Sequence, residues 1–202
     1  LEEGNKKAKQ FLGKEVINIE DAIAGASDII AQRYADDFRT KEVIRNIVLN
    51  YGILETKRTK TFDENGVYVS VANVSEKVKY IKSHRFLAIS RAVNEKELTV
   101  KIEVDENYIL ENIKKYKIPS SAESSKELVF QAYKDGLKRL LLPSLKREAL
   151  SELKEKASSD AIILFGKNLK ELLLTPPLVN QVILGMDPGY VSGCKLAVID
   201  IN

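Results

Sequence analysis

Residues 126–177 read KELVFQAYKDGLKRLLLPSLKREALSELKEKASSDAIILFGKNLKELLLTPP, and the spacing of apolar side chains in this stretch decides the architecture. Leu137, Leu141, Leu145, Ala149, Leu153, Ala157 and Leu164 recur at four- and seven-residue intervals, which line one face of a helix with 3.6 residues per turn. Only Pro143 and Ser158-Ser159-Asp160 interrupt the pattern. Pro143 suits the first turn of a helix, where its missing N–H has no intrahelical acceptor to lose, so it is read as beginning a helix rather than breaking one. From Pro143 to Leu174 an uninterrupted helix would extend about 48 Å at 1.5 Å per residue, longer than an average globular helix. Thr175-Pro176-Pro177 stops it, and the domain boundary is placed there, between a helical region 1–177 and a second region 178–202.

On the N-terminal side, Ala22, Ile23, Ala26, Ile29 and Ile30, then Val43, Ile44, Ile47 and Val48, predict two helices within Ile19–Tyr51, joined near Arg39-Thr40. Asp63-Glu64-Asn65-Gly66 is a turn signal, and the β-branched alternation of Val67-Tyr68-Val69-Ser70-Val71 predicts a local hairpin. Ser83 is the expected N-cap of a helix over His84–Asn94 whose apolar side carries Phe86, Leu87, Ile89 and Ser90. Leu98–Val104 alternates strictly and predicts a strand with one wet face. Asp105 is the expected cap of the next helix, up to Tyr116, before a loop at Pro119-Ser120-Ser121. Beyond the double proline, Val182–Asp187 and Lys195–Asp200 read as two strands around Pro188-Gly189. A lone hairpin buries neither face, so more sheet is expected in a longer protein. The fold class is therefore mainly α: a helical bundle with a long central helix and a few short β-strands.

With 44% hydrophobic residues among 202, the composition is that of an ordinary soluble globular chain. The 32 basic and 29 acidic residues leave a net charge of only +3, so any surface for a polyanion must come from clustering. The single cysteine, Cys194, cannot form an internal disulfide, and no Cys/His group has zinc-site spacing; a reducing, cytoplasmic setting is expected. No apolar run approaches the roughly 20 residues of a membrane span, and the polar start lacks a signal-peptide apolar region. From Leu1 in place of a methionine, and an end at Asn202 within an expected strand, both ends are expected to be cut from a longer protein.

No Gly-rich phosphate loop, nucleophile elbow or zinc-protease helix motif is present. His84, the only histidine, has no Ser, Cys or second His beside it in a motif and is read as a structural residue at a helix start. No catalytic residue, metal ligand or cofactor is assigned. The suggestive side chains are basic: Lys57, Arg58 and Lys60; Lys77, Lys79, Lys82, Arg85 and Arg91; Lys138 and Arg139; Lys146 and Arg147. Phosphate contacts need such groups on one surface, and Tyr68, Tyr80 or Phe86 nearby offer rings for stacking bases. From these, Lys57, Arg58, Lys60, Lys82, Arg85, Arg91, Lys138 and Arg139 are taken as the nucleic-acid-binding candidates. The competing reading is a set of solvated helix faces, since acids interleave at Glu76, Glu148 and Glu152.

Several segments together resemble the bacterial transcription accessory protein family Tex. They are Ala24–Ala31, Ser83-His84-Arg85-Phe86-Leu87-Ala88-Ile89-Ser90-Arg91, Lys138–Ser144, Asn168–Pro177, and Leu184-Gly185-Met186-Asp187-Pro188-Gly189 through Gly193-Cys194-Lys195. In order and spacing they cover nearly the whole chain. Two departures stand out: Arg91 is followed by Ala92-Val93 where the family has Gly-Glu, and Tyr190 by Val191-Ser192 where it favours Arg-Thr. The resemblance implies a multidomain parent with a helix-turn-helix unit, a long central helix, an RNase H-like domain, helix-hairpin-helix elements and an OB-fold RNA-binding domain. It makes 178–202 the first β-hairpin of the RNase H-like domain, and it implies RNA or DNA as partner, a role in transcription and no working nuclease site. On such a sheet Asp187 would be a metal ligand, and two-metal phosphodiester cleavage needs two cations about 4 Å apart clamped by several converging acids. Asp200 lies about six residues from the turn, roughly 20 Å away along an antiparallel return, so the segment lacks that set. An Asp before Pro-Gly is also an ordinary turn residue.

The leading reading is thus a non-catalytic scaffold segment of a nucleic-acid-binding protein acting in transcription, its long helix holding flanking modules. The alternatives are a protein-interaction platform on transcription or translation machinery, and part of a metal-dependent nuclease in the full-length parent.

Overall fold

The computed structural model describes residues 6, 9–11, 13, 16–116, 125–176, 178–189, 191 and 193–200. Helices dominate it. Helix α1 spans Ile19–Asp36, and its first turn is closed by Asn18, whose Oδ1 accepts the Asp21 N–H at 2.7 Å. Helix α2 spans Phe38–Tyr51. The joint is Asp37, not Arg39-Thr40 as expected. Its carboxylate accepts both the Thr40 N–H (2.8 Å) and the Thr40 hydroxyl (2.6 Å), supplying an acceptor for the first N–H groups of α2 and partnering a buried threonine.

Strand β1, Ile53–Arg58, leaves α2 through Gly52 and is the middle of a three-stranded antiparallel sheet. Its partners are β2, Ser75–Lys77, and β3, Leu98–Glu103, with Ile53 opposite both Lys77 and Glu103. The expected hairpin strand over Val67–Val71 does not form; Val69–Val71 is a turn of 3₁₀ helix. The buried positions there are Tyr68, Val71 and Ala72, a helical spacing that puts one side against the core, and the β-branched alternation yields to it. Thr56, buried on β1, fastens this segment: its hydroxyl donates to the Val71 carbonyl (2.7 Å) and accepts the Val74 N–H (2.9 Å).

Helix α3, Ser83–Asn94, buries Phe86, Ile89 and Ala92. Ser83 is its first residue rather than its cap; Lys82 holds the cap position without a side-chain bond, and the Ser83 hydroxyl donates to Asp160 instead. Asp105 caps α4, Glu106–Tyr116, as expected, accepting the Asn107 and Tyr108 N–H groups. The loop expected at Pro119-Ser120-Ser121 lies outside the described residues.

The stretch from Lys126 to Leu173 is helical throughout: α5 is Lys126–Asp135, a π-helical turn covers Gly136–Leu141, and α6 is Leu142–Leu173. Neither Pro143 nor Ser158-Ser159-Asp160 interrupts it. Pro143 has no N–H, and its ring crowds the carbonyl four residues back; the wider π turn immediately before it makes that room. At Gly136 the π turn meets α1 so closely that a Cβ would lie 2.6 Å from the Ala31 carbonyl oxygen. Nearby, Tyr34 stacks on Tyr133 with centroids 4.6 Å apart, and burial pushes the Tyr34 phenol well above its ordinary pKa.

Backbone contacts divide the chain into two compact units, Leu1–Ala161 and Ile162–Asn202. The first holds the core around Leu54, Ile89, Leu98, Ile102, Leu137 and Leu141. The second holds the end of α6 and an antiparallel hairpin of β4, Ile183–Pro188, and β5, Cys194–Ile199. Its helix ends at Leu173, just before the threonine and prolines that were expected to stop it.

Candidate nucleic-acid interface

The eight basic candidates fall at three places. Lys57 and Arg58 end β1, with Lys60 in the turn beyond; Lys57 faces Thr99 and Arg58 faces Leu98 on β3. That turn is laced to the α3–β3 connection, where the Thr59 hydroxyl reaches the Lys96 and Glu97 carbonyls and Thr61 also bonds Lys96. Arg58 is already engaged. Its Nη1 donates to both oxygens of Glu64 (2.7 and 2.8 Å) while its guanidinium lies 4.9 Å over the Phe62 ring. Glu64 offsets the charge of Arg58, and the connection bonded by Thr59 and Thr61 carries two further acids in sequence, Glu95 and Glu97.

Lys138 and Arg139 stand on the π turn and act between helices. Lys138 pairs with Glu106 of α4 at 2.8 Å, and Arg139 joins Asp135 (2.7 Å) to Asp28 of α1 (2.9 Å). Hydrogen bonding to Asp135, then its charge, raises the Arg139 pKa further above its already high value. These two side chains tie the helical run to its neighbours.

Lys82 and Arg85 mark the start of α3, and Arg91 lies exposed on its last turn. The register places Lys77 opposite Ile53, at the far end of β1 from Arg58, about 17 Å away at 3.4 Å per residue. The sequence group is thus not one surface. Arg85 pairs with Glu76 at 2.6 Å. His84 is exposed on the first turn of α3 rather than packed.

Of the three rings named for stacking, two are inaccessible. Phe86 is buried in the core, and Tyr68 is buried with its hydroxyl donating to Glu95 (2.8 Å), which together with desolvation raises its pKa. Tyr80 is different: it is 61% exposed, and the Lys79 amine sits 4.9 Å over its ring. Beside it opens a cleft of about 320 Å³, with Val78, Lys79 and Ile81 on one wall and Ala149, Leu153 and Lys156 of α6 on the other. Lys156 belongs to this surface, and nothing in its local sequence announced it, because only the packing of α6 brings it to Lys79.

Asp187 and Asp200 do not converge. Asp187 faces Lys195 beside the turn, whereas Ile183 faces Ile199 at the other end of the hairpin, next to Asp200. Among the described residues no group of three or more His, Cys, Asp or Glu side chains is placed to hold a metal ion, and no helix is long and apolar enough to cross a membrane.

Residues 2–165 match the family model described as Tex central region-like. The chain is 36% identical to YdcI of Bacillus subtilis (strain 168) over 197 residues, covering 96% of this chain and 27% of that protein. It is 31% identical to the human S1 RNA-binding domain-containing protein 1 over 200 residues, 92% of this chain and 20% of the relative. It is 30% identical to the transcriptional accessory protein Tex of Neisseria gonorrhoeae over 203 residues, 96% of this chain and 26% of the relative. The chain thus spans about a fifth to a quarter of the length of these relatives. With a family model matching residues 2–165 and relatives aligned over more than nine-tenths of the chain, this chain belongs to the Tex family, and its residues 2–165 correspond to that family's central region.

Proposed function

We propose that the chain is a non-catalytic, nucleic-acid-binding scaffold segment of a longer cytoplasmic protein that acts in transcription. One observation carries this reading: the match runs over nearly the whole chain to proteins named for transcriptional accessory function and for S1 RNA binding. In this reading α6, 32 residues or about 48 Å long, is the stiff element on which neighbouring modules are carried, and residues 178–202 begin an RNase H-like domain. The test is binding of fluorescent single-stranded RNA by the 202-residue chain across a salt series. Affinity falls steeply from 50 to 200 mM salt if several cations release counterions. Absent or salt-insensitive binding would place the nucleic-acid surface elsewhere in the full-length protein.

A second reading is favoured by an apolar cleft of about 340 Å³ between α2 and α4, whose rim includes the exposed side chains of Val43 and Tyr108. Such a groove suits a partner helix from the transcription machinery. Capture of the same protein from a bacterial lysate with and without nuclease treatment separates the readings, because a directly bound protein survives digestion.

A further inference from the structure

The three basic places differ in local charge. Around Arg58 and Lys60, acids match the cations, and around Lys138 and Arg139 the cations are committed to Glu106, Asp135 and Asp28. Between Ser75 and Arg85, four basic residues face one acid, Glu76, and that acid is taken by Arg85. Across the cleft, Glu152 is held by Arg45, and Asp160 accepts the Ser83 hydroxyl. Lys79 and Lys156, which line a cleft floored by Val78, Ile81 and Leu153, and Lys82, next in sequence to the lining residue Ile81, are therefore left without an acidic partner among the described residues. The exposed ring of Tyr80 stands at the edge of that cleft.

We propose that this cleft is a binding site for a single-stranded polynucleotide. Lys79, Lys82 and Lys156 contact successive phosphates, and Tyr80 stacks on a base. The pairing of a cationic track with an exposed aromatic ring is what single strands require, because the backbone is met by charge and every base offers a π-face. A duplex, with its bases already stacked, gains nothing from Tyr80. The proposal rests on the reading of the chain as nucleic-acid binding, but assigns the contact to one cleft and removes Lys138 and Arg139 from it.

The test uses the 202-residue chain with fluorescent oligouridine and oligothymidine of about a dozen nucleotides, in the range that one such groove tracks. Tyr80→Ala is expected to weaken binding roughly tenfold, and Tyr80→Phe to restore it, because stacking needs the ring and not the hydroxyl. Replacing Lys79, Lys82 and Lys156 together by Gln should make the dependence of log K on log salt shallower by about 2, at roughly 0.7 per phosphate contact on a single strand. Lys154→Gln, an exposed change on the same helix, leaves both measures unchanged. Circular dichroism confirms that each variant is folded. Wild-type affinity in both Tyr80→Ala and the triple variant, with binding by the parent chain intact, overturns the cleft and leaves the wider reading standing. No binding by the parent chain overturns both. Loss in the triple variant alone, with polyglutamate competing as well as RNA, identifies an acidic polypeptide as the occupant and overturns the polynucleotide.

Discussion

Both compact units contain an antiparallel pairing of β-branched and aliphatic strands, yet they stand in opposite energetic situations. In the sheet β2-β1-β3 one face is covered: Leu54, Leu98 and Ile102 are 0–2% exposed, packed in a core shared with α3. In the β4–β5 hairpin, Leu184, Met186, Leu196 and Val198 are all more than 60% exposed, and along α6 beyond Ala161 the run Ile162-Ile163-Leu164-Phe165 is exposed as well. Strand pairing fixes the register in both, but only the first sheet gains the hydrophobic term, about 25 cal/mol per Å² of apolar surface buried. The difference teaches that alternation and apolarity make a strand, whereas a covering layer makes it contribute to stability.

The sharpest way to break this comparison is to delete equivalent side chains in the two units. Leu54→Ala should cost about 2–5 kcal/mol, the usual range for a leucine lost from a packed core, in chemical denaturation followed by circular dichroism. Leu184→Ala in the same assay should stay within about 0.5 kcal/mol of the parent chain. Equal losses would mean that the hairpin is packed after all.

A smaller effect probes how closely the first unit is assembled. Gly136→Ala removes a flexible residue from a helical run, which alone would add up to about 1 kcal/mol of stability. The new methyl group, however, would meet the Ala31 carbonyl oxygen at 2.6 Å, and that oxygen belongs to the backbone of α1 and cannot swing aside. Overpacking of this kind costs about 1–3 kcal/mol, so the clash wins and the variant should unfold at lower denaturant concentration. Gly166→Ala, with open space around the position, should do the opposite or nothing.

Much of this arrangement was legible in sequence where the signal was local. The long helix, strand β3, the Asp105 cap and the two strands of the hairpin all follow from periodicity and cap chemistry within a few residues. What failed depended on distant partners. The strand expected at Val67–Val71 gave way because Tyr68, Val71 and Ala72 had a core to fill on one side, and β1 instead found β3 some forty residues on. Pro143 lies in the first turn of α6 as expected, but the π turn that joins this helix to α5 has no sequence signature of its own. The candidate interface shows the same limit. Charge spacing could not tell that Lys138 and Arg139 are spent between helices, that Phe86 and Tyr68 are buried, or that Lys156 lines the same cleft as Lys79.

The smallest expected effect lies on the wet face of the first sheet, where charge rather than burial joins the strands. Glu103 accepts from Lys101 and lies 3.6 Å from Lys146 of α6, while Lys101 also reaches Glu55 at 3.6 Å. The hydrogen bond from Lys101, with the charges of Lys146 and Lys101, holds the Glu103 carboxyl below its ordinary value. The folded protein therefore prefers the ionised form more than the unfolded chain does. The stabilisation is present at neutral pH and is lost as pH falls below about 4.5 and through the lowered folded value. Because the Glu103 and Lys101 side chains are substantially exposed, Glu103→Gln should cost only a few tenths of a kcal/mol at pH 7, and less in concentrated salt. Once the pH is below that lowered value, the variant and the parent chain should converge. A difference that persists in acid would mean that Glu103 contributes through packing, and that even the wet face of this sheet is held in the manner the β4–β5 hairpin lacks.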